Sequence, residues 1–325
     1  MNFLTDPFLV DEELFLGPVL VTGAGGCIGS WVLAILSRSG VPVVAFDLSN
    51  DRRRPSLVMQ PERVAGLTWE IGDITDGGTI KALIERHKIR SIIHLAGLQV
   101  PFCRADPAAG ARVNVEGTIN VLEASRHAKI KRTVYASSVA ALGLPPGGSY
   151  MATLYGAYKL ANEYTAQVYW QDWTVPSVGI RPNIVYGLAR DQGMTSKCTL
   201  AIHAAVLGNT YEIPYSGATS WLYAGEAAAA FIAAITRDGD DAYRFNLNGT
   251  CETVEAAVAI IKDLAPNTST IITGSPLPFP ADLDDNTIRN HLGDYPSISV
   301  DQGIKDTFRA FSILKEWGRL DDITV

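Results

Sequence analysis

Tyr155 and Lys159 stand four residues apart in the stretch Thr153-Leu154-Tyr155-Gly156-Ala157-Tyr158-Lys159. On a helix that spacing puts both side chains on one face, one turn from each other. A lysine held beside a phenol favours the phenolate, so a group with an ordinary pKa of about 10 is drawn toward neutrality. Lowering it to near 7 takes about 4 kcal/mol of differential stabilisation. Just upstream, Tyr135-Ala136-Ser137-Ser138 offers a second hydroxyl, that of Ser138, to the same substrate oxygen. Such a set takes a proton from an alcohol when an electron acceptor is bound beside it. Tyr158 has Asn162 rather than lysine at its fourth position and reads as packing.

The acceptor is supplied by the start of the chain. Val19-Leu20-Val21-Thr22 is an apolar run, as expected of a strand buried on both faces. It runs into Gly23-Ala24-Gly25-Gly26-Cys27-Ile28-Gly29, then a helical stretch from Trp31 to Leu36, then a second strand, Val43 to Asp47. Strand, glycine turn, helix and strand ending in an acid form the βαβ dinucleotide unit. The glycines are spaced as GxxGxxG, at 23, 26 and 29. Asp47 follows at a distance suited to a ribose diol, and its charge would repel a 2′-phosphate. NAD is therefore expected. Arg52-Arg53-Arg54 keep NADP as the alternative.

The alternation continues with strands at 67–71, 91–95, 133–136 and 176–180. Helices are expected at 79–87, 108–127 and 151–170. Ala96-Gly97 lets backbone approach the cofactor, and the long second helix contains Asn114. Six βα-like units without a repeat or linker predict an α/β fold, a doubly wound parallel sheet. Its ligands should sit beyond the carboxyl ends of the strands. Residues 1–180 are read as the NAD-binding Rossmann domain. Residues 181–325 are read mainly as a smaller mixed α/β substrate-binding subdomain, with 219–237 returning to the core through a helix at 226–237. Residues 1–17 read as a lead-in arm without chemistry.

Composition limits the partners. The chain has 325 residues, 47% hydrophobic and 19% charged, with a net charge of −7 and a pI near 5.3. No stretch carries a broad basic excess, which argues against a nucleic-acid or anionic-membrane surface. Four cysteines without a CxxC pair indicate a reducing compartment, and five histidines without HxH or HxxxH spacing indicate no metal site. The N-terminal residues lack a basic stretch followed by an apolar core, so no signal peptide is expected. The longest alanine-rich run, 227–235, is too short to span a bilayer. A soluble, cytoplasmic protein is expected. Cys27 lies at a helix N-terminus, where a thiol pKa can fall, but no basic residue adjoins it in sequence.

Taken together, these residues resemble the extended short-chain dehydrogenase/reductases, the NAD-dependent epimerase/dehydratase family. The resemblance rests on Thr22 to Gly29, Asp47, Gly72-Asp73-Ile74, His94-Leu95-Ala96-Gly97, Asn114-Val115-Glu116-Gly117-Thr118, Ser137-Ser138, Tyr155 to Lys159 and Arg181-Pro182-Asn183. A weaker match follows at Trp221-Leu222-Tyr223 and Leu292 to Pro296. The resemblance implies a catalytic set of Ser138, Tyr155 and Lys159, with Asn114 supporting the helix that carries the site. Counting back from Gly143 favours Ser138 over Ser137. It further implies that Asp73 and Ile74 flank the adenine and that Lys159 also binds the nicotinamide ribose. The cofactor floor would be Gly23, Gly26, Cys27, Ile28, Gly29, Leu95, Ala96 and Gly97, with His94 structural. Dimers through two long helices per subunit are common among the proteins it resembles.

Departures from the family pattern narrow the expectation. Dehydratases of this group carry Asp-Glu after the serine or threonine, whereas Val139-Ala140 follow Ser138. Nucleotide-sugar enzymes of the group usually carry two arginines that grip the diphosphate. Here the corresponding places read Gly217-Ala218-Thr219-Ser220 and 276–285, without a basic residue. The connection from Ser138 to Tyr155, through Leu144-Pro145-Pro146-Gly147-Gly148, is short. The expected activity is hydride transfer between NAD and a small sugar, sugar acid or polyol. The alternatives are a sugar or nucleotide-sugar epimerase with tightly bound NAD and a non-catalytic NAD-binding protein.

Overall fold

The computed structural model describes residues 2–143 and 152–320; the stretch 144–148, from which a short connection was read, lies outside them. Six strands appear in the order expected: β1 (Val19–Thr22), β2 (Val43–Asp47), β3 (Thr68–Ile71), β4 (Ser91–His94), β5 (Thr133–Ala136) and β6 (Ser177–Pro182). Then come β7 (Val185–Tyr186), β8 (Tyr211–Ile213), β9 (Ala218–Tyr223), β10 (Ala242–Leu247), β11 (Thr250–Thr253) and β12 (Thr270–Ile272). The main sheet has seven strands in the order β10-β6-β5-β4-β1-β2-β3, all parallel. β1 lies inside it and is buried along its whole length, which is why its sequence is uniformly apolar. The order doubles back between β1 and β4, so a crevice opens there at the carboxyl ends.

Three features depart from the sequence reading. The seventh strand, β10, was not foreseen; it pairs with β6 over Ala242 to Leu247 and forms one edge of the sheet. The helix expected over 108–127 is three segments. Pro107–Ala111 and Gly117–Ala128 are α-helical, and the turn between them, Arg112–Glu116, is π-helical and contains Asn114. A π-turn puts one extra residue into the winding and redirects the side chains and carbonyls around it. The helix carrying Tyr155 begins at Leu154, where Thr153 accepts a hydrogen bond from Gly156 N at 3.0 Å, and it runs to Trp173.

The segments after β6 do not form one block. Helix Ala224–Ala233 packs against helix Cys27–Arg38, and β10 joins the main sheet. β7, β9 and β11 make a three-stranded sheet, and β8 pairs with β12. The arm at the N-terminus is part of the core. Phe8 meets the ring of Trp31 edge-on at 6.3 Å and stacks on Tyr223 at the same separation, while Trp31 and Tyr223 lie 5.3 Å apart. All three are fully buried, joining the arm, the glycine-turn helix and β9. Trp31 Nε1 also donates to Leu188 O at 2.9 Å, tying the loop after β7 to that helix. Among the described residues no helix is long and apolar enough to cross a membrane.

Removing that indole leaves a cavity between three elements and an unpaired carbonyl. Trp31→Ala should destabilise the fold by about 3–5 kcal/mol, read as a lower urea midpoint at constant m-value. An unchanged midpoint would show that the arm and β9 do not depend on this cluster.

Candidate active site

The residues singled out in sequence converge at the carboxyl ends of the parallel strands. Gly23 follows β1, Asp47 ends β2, Gly72 follows β3, Leu95 follows β4, Ser137 follows β5 and Asn183 follows β6. They line one cleft of about 630 Å³.

At one end the cleft is backbone. Gly23 has φ +67°, and a Cβ there would stand 2.6 Å from Ala96 N, so only glycine lets the turn pass the end of β4. Gly29 lies against the carbonyl of Gly23 in the same way. Helix Cys27–Arg38 starts here, and no side chain caps it at Gly26. The amide N–H groups of its first turn are left for an anion, which fits the diphosphate of a dinucleotide. Asp47 Oδ2 accepts from Gly25 N at 2.8 Å, and its Oδ1 accepts from Leu48 N at 2.7 Å. The carboxylate thus holds the glycine turn from the end of β2. The three neighbouring arginines are all engaged within the protein: Arg52 with Asn50, Arg53 with Asp51 and Arg54 with Asp191. Asp73 and Ile74 line the same end. Asp73 accepts from Thr75 N, and Ile74 is buried against Gly117.

Cys27 is inert in this setting, because burial pushes its thiol up to about 11 against the pull of Arg190 and Arg54. His94 is also structural. It is buried between Thr22 and Thr118, at 2.7 and 3.2 Å, and desolvation lowers its pKa to about 3, so it stays neutral.

At the other end stand the reacting side chains. Ser138 caps a short turn, accepts from Ala140 N at 3.2 Å and stands close enough to Tyr155 to favour its phenolate. Ser137 points the opposite way and donates to Glu163 in the interior. Lys159 is 4% exposed, and its Nζ donates to Ala136 O at 2.6 Å. A Cβ on Gly97 would meet Asn114 Oδ1 at 2.8 Å and Lys159 Nζ at 3.4 Å, so the bare Gly97 leaves a recess beside both. Asn114 Nδ2 donates to Leu98 O and Gly110 O, and its own carbonyl accepts from Asn162 Nδ2 at 2.8 Å. That last bond ties the π-turn to the Tyr155 helix. Tyr158 donates to Pro107 O at 2.9 Å and serves packing.

The electrostatics correct one expectation. Lys159 does not pull Tyr155 toward neutrality in the protein alone; burial pushes the phenol up, opposed by the Ser138 hydrogen bond and the charge of Arg190. The reason is placement. Bonded to Ala136 O, the ammonium lies 5.5 Å from the centroid of the Tyr155 ring, over its face rather than at its hydroxyl. Desolvation lowers Lys159 itself to about 8.

Several residues at the site escaped the sequence reading. Glu163, one turn beyond Lys159, is fully buried and pairs with Arg181 at 2.5 and 2.7 Å. Its position in the row Tyr155, Lys159, Glu163 was the available signal. Arg190, Gln192, Met194 and Thr195, in the loop after β7, together with Gln99 and Phe279, close the reacting end. Their types carry no periodicity that would mark them.

The buried lysine gives the fold a pH dependence. Folded Lys159 titrates near 8 and the unfolded residue near 10.5, so between these values the unfolded chain holds more protons. Stability of the wild type should therefore rise with pH across that window relative to Lys159→Met, by about 3 kcal/mol in all. Parallel urea stabilities of the two proteins from pH 7.5 to 10.5 would rule this out.

A model described as the NAD dependent epimerase/dehydratase family matches residues 19–247. A UDP-glucose 4-epimerase of Mycolicibacterium smegmatis is 30% identical over 247 residues, which is 72% of this chain and 78% of that protein. Among solved structures, UDP-glucose 4-epimerase of Thermotoga maritima superposes with a TM-score of 0.79 at 21% identity, over 92% of this chain and 99% of that one. The GalE-like L-threonine dehydrogenase of Cupriavidus necator gives 0.76 at 23% identity, over 90% and 99%. These two likenesses establish the fold. The chain spans about half the length of other curated relatives it matches. The matched region runs from β1 through β10 and so takes in every strand of the main sheet; the chain belongs to the NAD-dependent epimerase/dehydratase family, and NAD is the cofactor of its cleft.

Proposed function

We propose that the protein is an NAD-dependent dehydrogenase that interconverts a secondary alcohol and a ketone on a small sugar, sugar acid or polyol. The observation that carries this reading is the meeting of Ser138, Tyr155 and Lys159 in one cleft, with the Lys159 ammonium 5.5 Å from the centroid of the Tyr155 ring. NAD, when bound, accepts the hydride from the carbinol carbon. Tyr155 takes the hydroxyl proton as the carbonyl forms, and Ser138 holds the oxygen. With its phenol held up by burial, Tyr155 is a proton donor in the direction of ketone reduction. It becomes a base when the positive charge of the oxidised cofactor adds to those of Lys159 and Arg190. Lys159, anchored on Ala136 O, keeps a cation under the ring and offers its remaining protons to the nicotinamide ribose.

One absence argues against dehydration and a second supports a substrate without a nucleotide. Val139-Ala140 after Ser138 provide no acid for elimination. The stretches Gly217 to Ser220 and 276–285 provide no cation for a diphosphate, and the second carries Asp282, Asp284 and Asp285 instead. Arg289, nearby in sequence, is engaged by Glu226 and by Tyr295 O. The second reading is an epimerase that returns the hydride to the opposite face, in line with the relative from Mycolicibacterium. NAD that co-purifies, with no net NADH on turnover, would favour it and remove the first. A cytoplasmic homodimer packed through helices Gly117–Ala128 and Leu154–Trp173 completes the proposal. The exposed Tyr164, Val168 and Trp173 on the second helix support it, and sedimentation as a monomer would count against it.

Tyr155→Phe should lower kcat by at least 10²-fold while leaving the NAD dissociation constant within about twofold, since the ring is retained and only the proton carrier is lost. Wild-type turnover in that variant would overturn the assignment. Asp47→Ala should narrow the preference for NAD over NADP. Because the carboxylate also holds Gly25 N, the same change should weaken NAD binding. Titration of both cofactors checks this, and an unchanged ratio of affinities would refute the role given to Asp47.

A further inference from the structure

The loop after β7 turns sharply through two left-handed positions, Gly187 at φ +116° and Ala189 at φ 72°. A left-handed alanine is uncommon and costs on the order of 1 kcal/mol, so its retention asks for a reason. The residue it delivers is Arg190, whose backbone N–H closes the turn on Gly187 O at 3.0 Å and whose side chain lines the reacting end of the cleft. That guanidinium is under-used. One of its five N–H donors reaches Thr195 Oγ1 at 3.3 Å, and its Nε is buried without a partner. Among the described residues it makes no ion pair. Asp191, beside it in sequence, is taken by Arg54 at 2.7 Å.

Nothing else at that end neutralises it. The carboxylates lining the cleft are Asp47, Asp51 and Asp73, and all three belong to β2, β3 or the loops after them, at the ribose and adenine end. Ser138, Lys159, Asn183, Gln99, Gln192 and Thr195 also line the cleft, and none of them is anionic. Gln99 and Arg190 both face the bare Cα of Gly193, where a Cβ would stand 2.7 Å from Gln99 Oε1 and 3.0 Å from Arg190 Nη2. Arg190 is also close enough to Tyr155 for its charge to lower the phenol pKa. A half-buried, unpaired guanidinium is a planar fork suited to two oxygens of one anion.

We infer that Arg190 receives the carboxylate of the substrate, so that the alcohol oxidised beside Tyr155 belongs to a hydroxy acid of the aldonic or uronic type. The inference rests on the reading of the cleft as a dehydrogenase site and narrows its substrate class. The rival anion is the cofactor diphosphate, since Arg190 also lies near Cys27 at the glycine turn.

The test uses matched pairs: gluconate with sorbitol, glucuronate with glucose, threonate with threitol and glycerate with glycerol. Each is scored by NADH formation with NAD and by calorimetric binding to the NADH-loaded protein. At least one acid should bind tenfold or more tightly than its neutral partner. Arg190→Gln should weaken that acid at least tenfold, Arg190→Lys should weaken it less, and NAD affinity should stay within about twofold in both. Binding of neutral partners as tight as that of the acids, or no binding of any acid, overturns the inference. So does a loss of NAD affinity in Arg190→Gln with acid binding unchanged, which would assign the guanidinium to the diphosphate. Tyr155→Phe separates the two proposals. Arg190-dependent acid binding that persists there, in a wild type that forms no NADH, would leave the carboxylate site standing and remove the dehydrogenase.

Discussion

A buried cation with a single neutral anchor sets the terms for the rest of the site. Lys159 donates a hydrogen bond to the carbonyl of Ala136 at the end of β5, and it makes no ion pair among the described residues. Desolvating an ammonium in this way is unfavourable unless the surroundings hold it rigidly. They do so through a closed frame. Glu163 lies one turn further along the same helix, fixed by Arg181 from β6 and by Ser137 from the end of β5. Asn162 reaches across to the carbonyl of Asn114 in the π-turn. The helix is therefore fastened to β5, β6 and the π-turn around the lysine, and the ammonium has one place to be.

That frame explains the division of labour between adjacent serines. Ser137 is spent on Glu163 and turns inward, which leaves Ser138 as the hydroxyl at the cleft surface. It also explains why Lys159 sits over the Tyr155 ring rather than at its oxygen, since the Ala136 carbonyl holds it there. In this arrangement the charge of Arg190 also favours the phenolate of Tyr155.

Much of this was legible in sequence where the signal was local. Largely apolar runs marked the inner strands such as β1 and β4, because strands covered on both faces admit little else, whereas the edge strand β3, Thr68-Trp69-Glu70-Ile71, was read from its place in the alternation. The glycine turn, Asp47 and the Tyr155–Lys159 spacing are short-range patterns with physical causes. What escaped depends on distant partners. In β10, Ala-Tyr-Arg-Phe-Asn-Leu alternates polar with apolar residues because it lies at an edge, so it blended with the mixed region around it. The π-turn at Asn114 leaves no local signature. The pairing of Glu163 with Arg181, and the isolation of Arg190, exist only once the chain has folded. Without cofactor the phenol pKa is raised for a related reason: spacing brought the two groups to one face, while a main-chain carbonyl decided where the charge lay.

The carboxylate of Asp47 answers to two masters, one oxygen to Gly25 N and the other to Leu48 N. With Asp47 in its proposed role at the ribose, cofactor choice and the shape of the glycine turn are inherited as one trait. A lineage drifting toward a phosphorylated cofactor cannot simply exchange this acid for a neutral or basic residue. It must first find another way to brace the turn, so the route between the two specificities passes through at least two coordinated changes. Engineers attempting the same switch would do well to begin at Gly25 and Leu48 rather than at the acid itself.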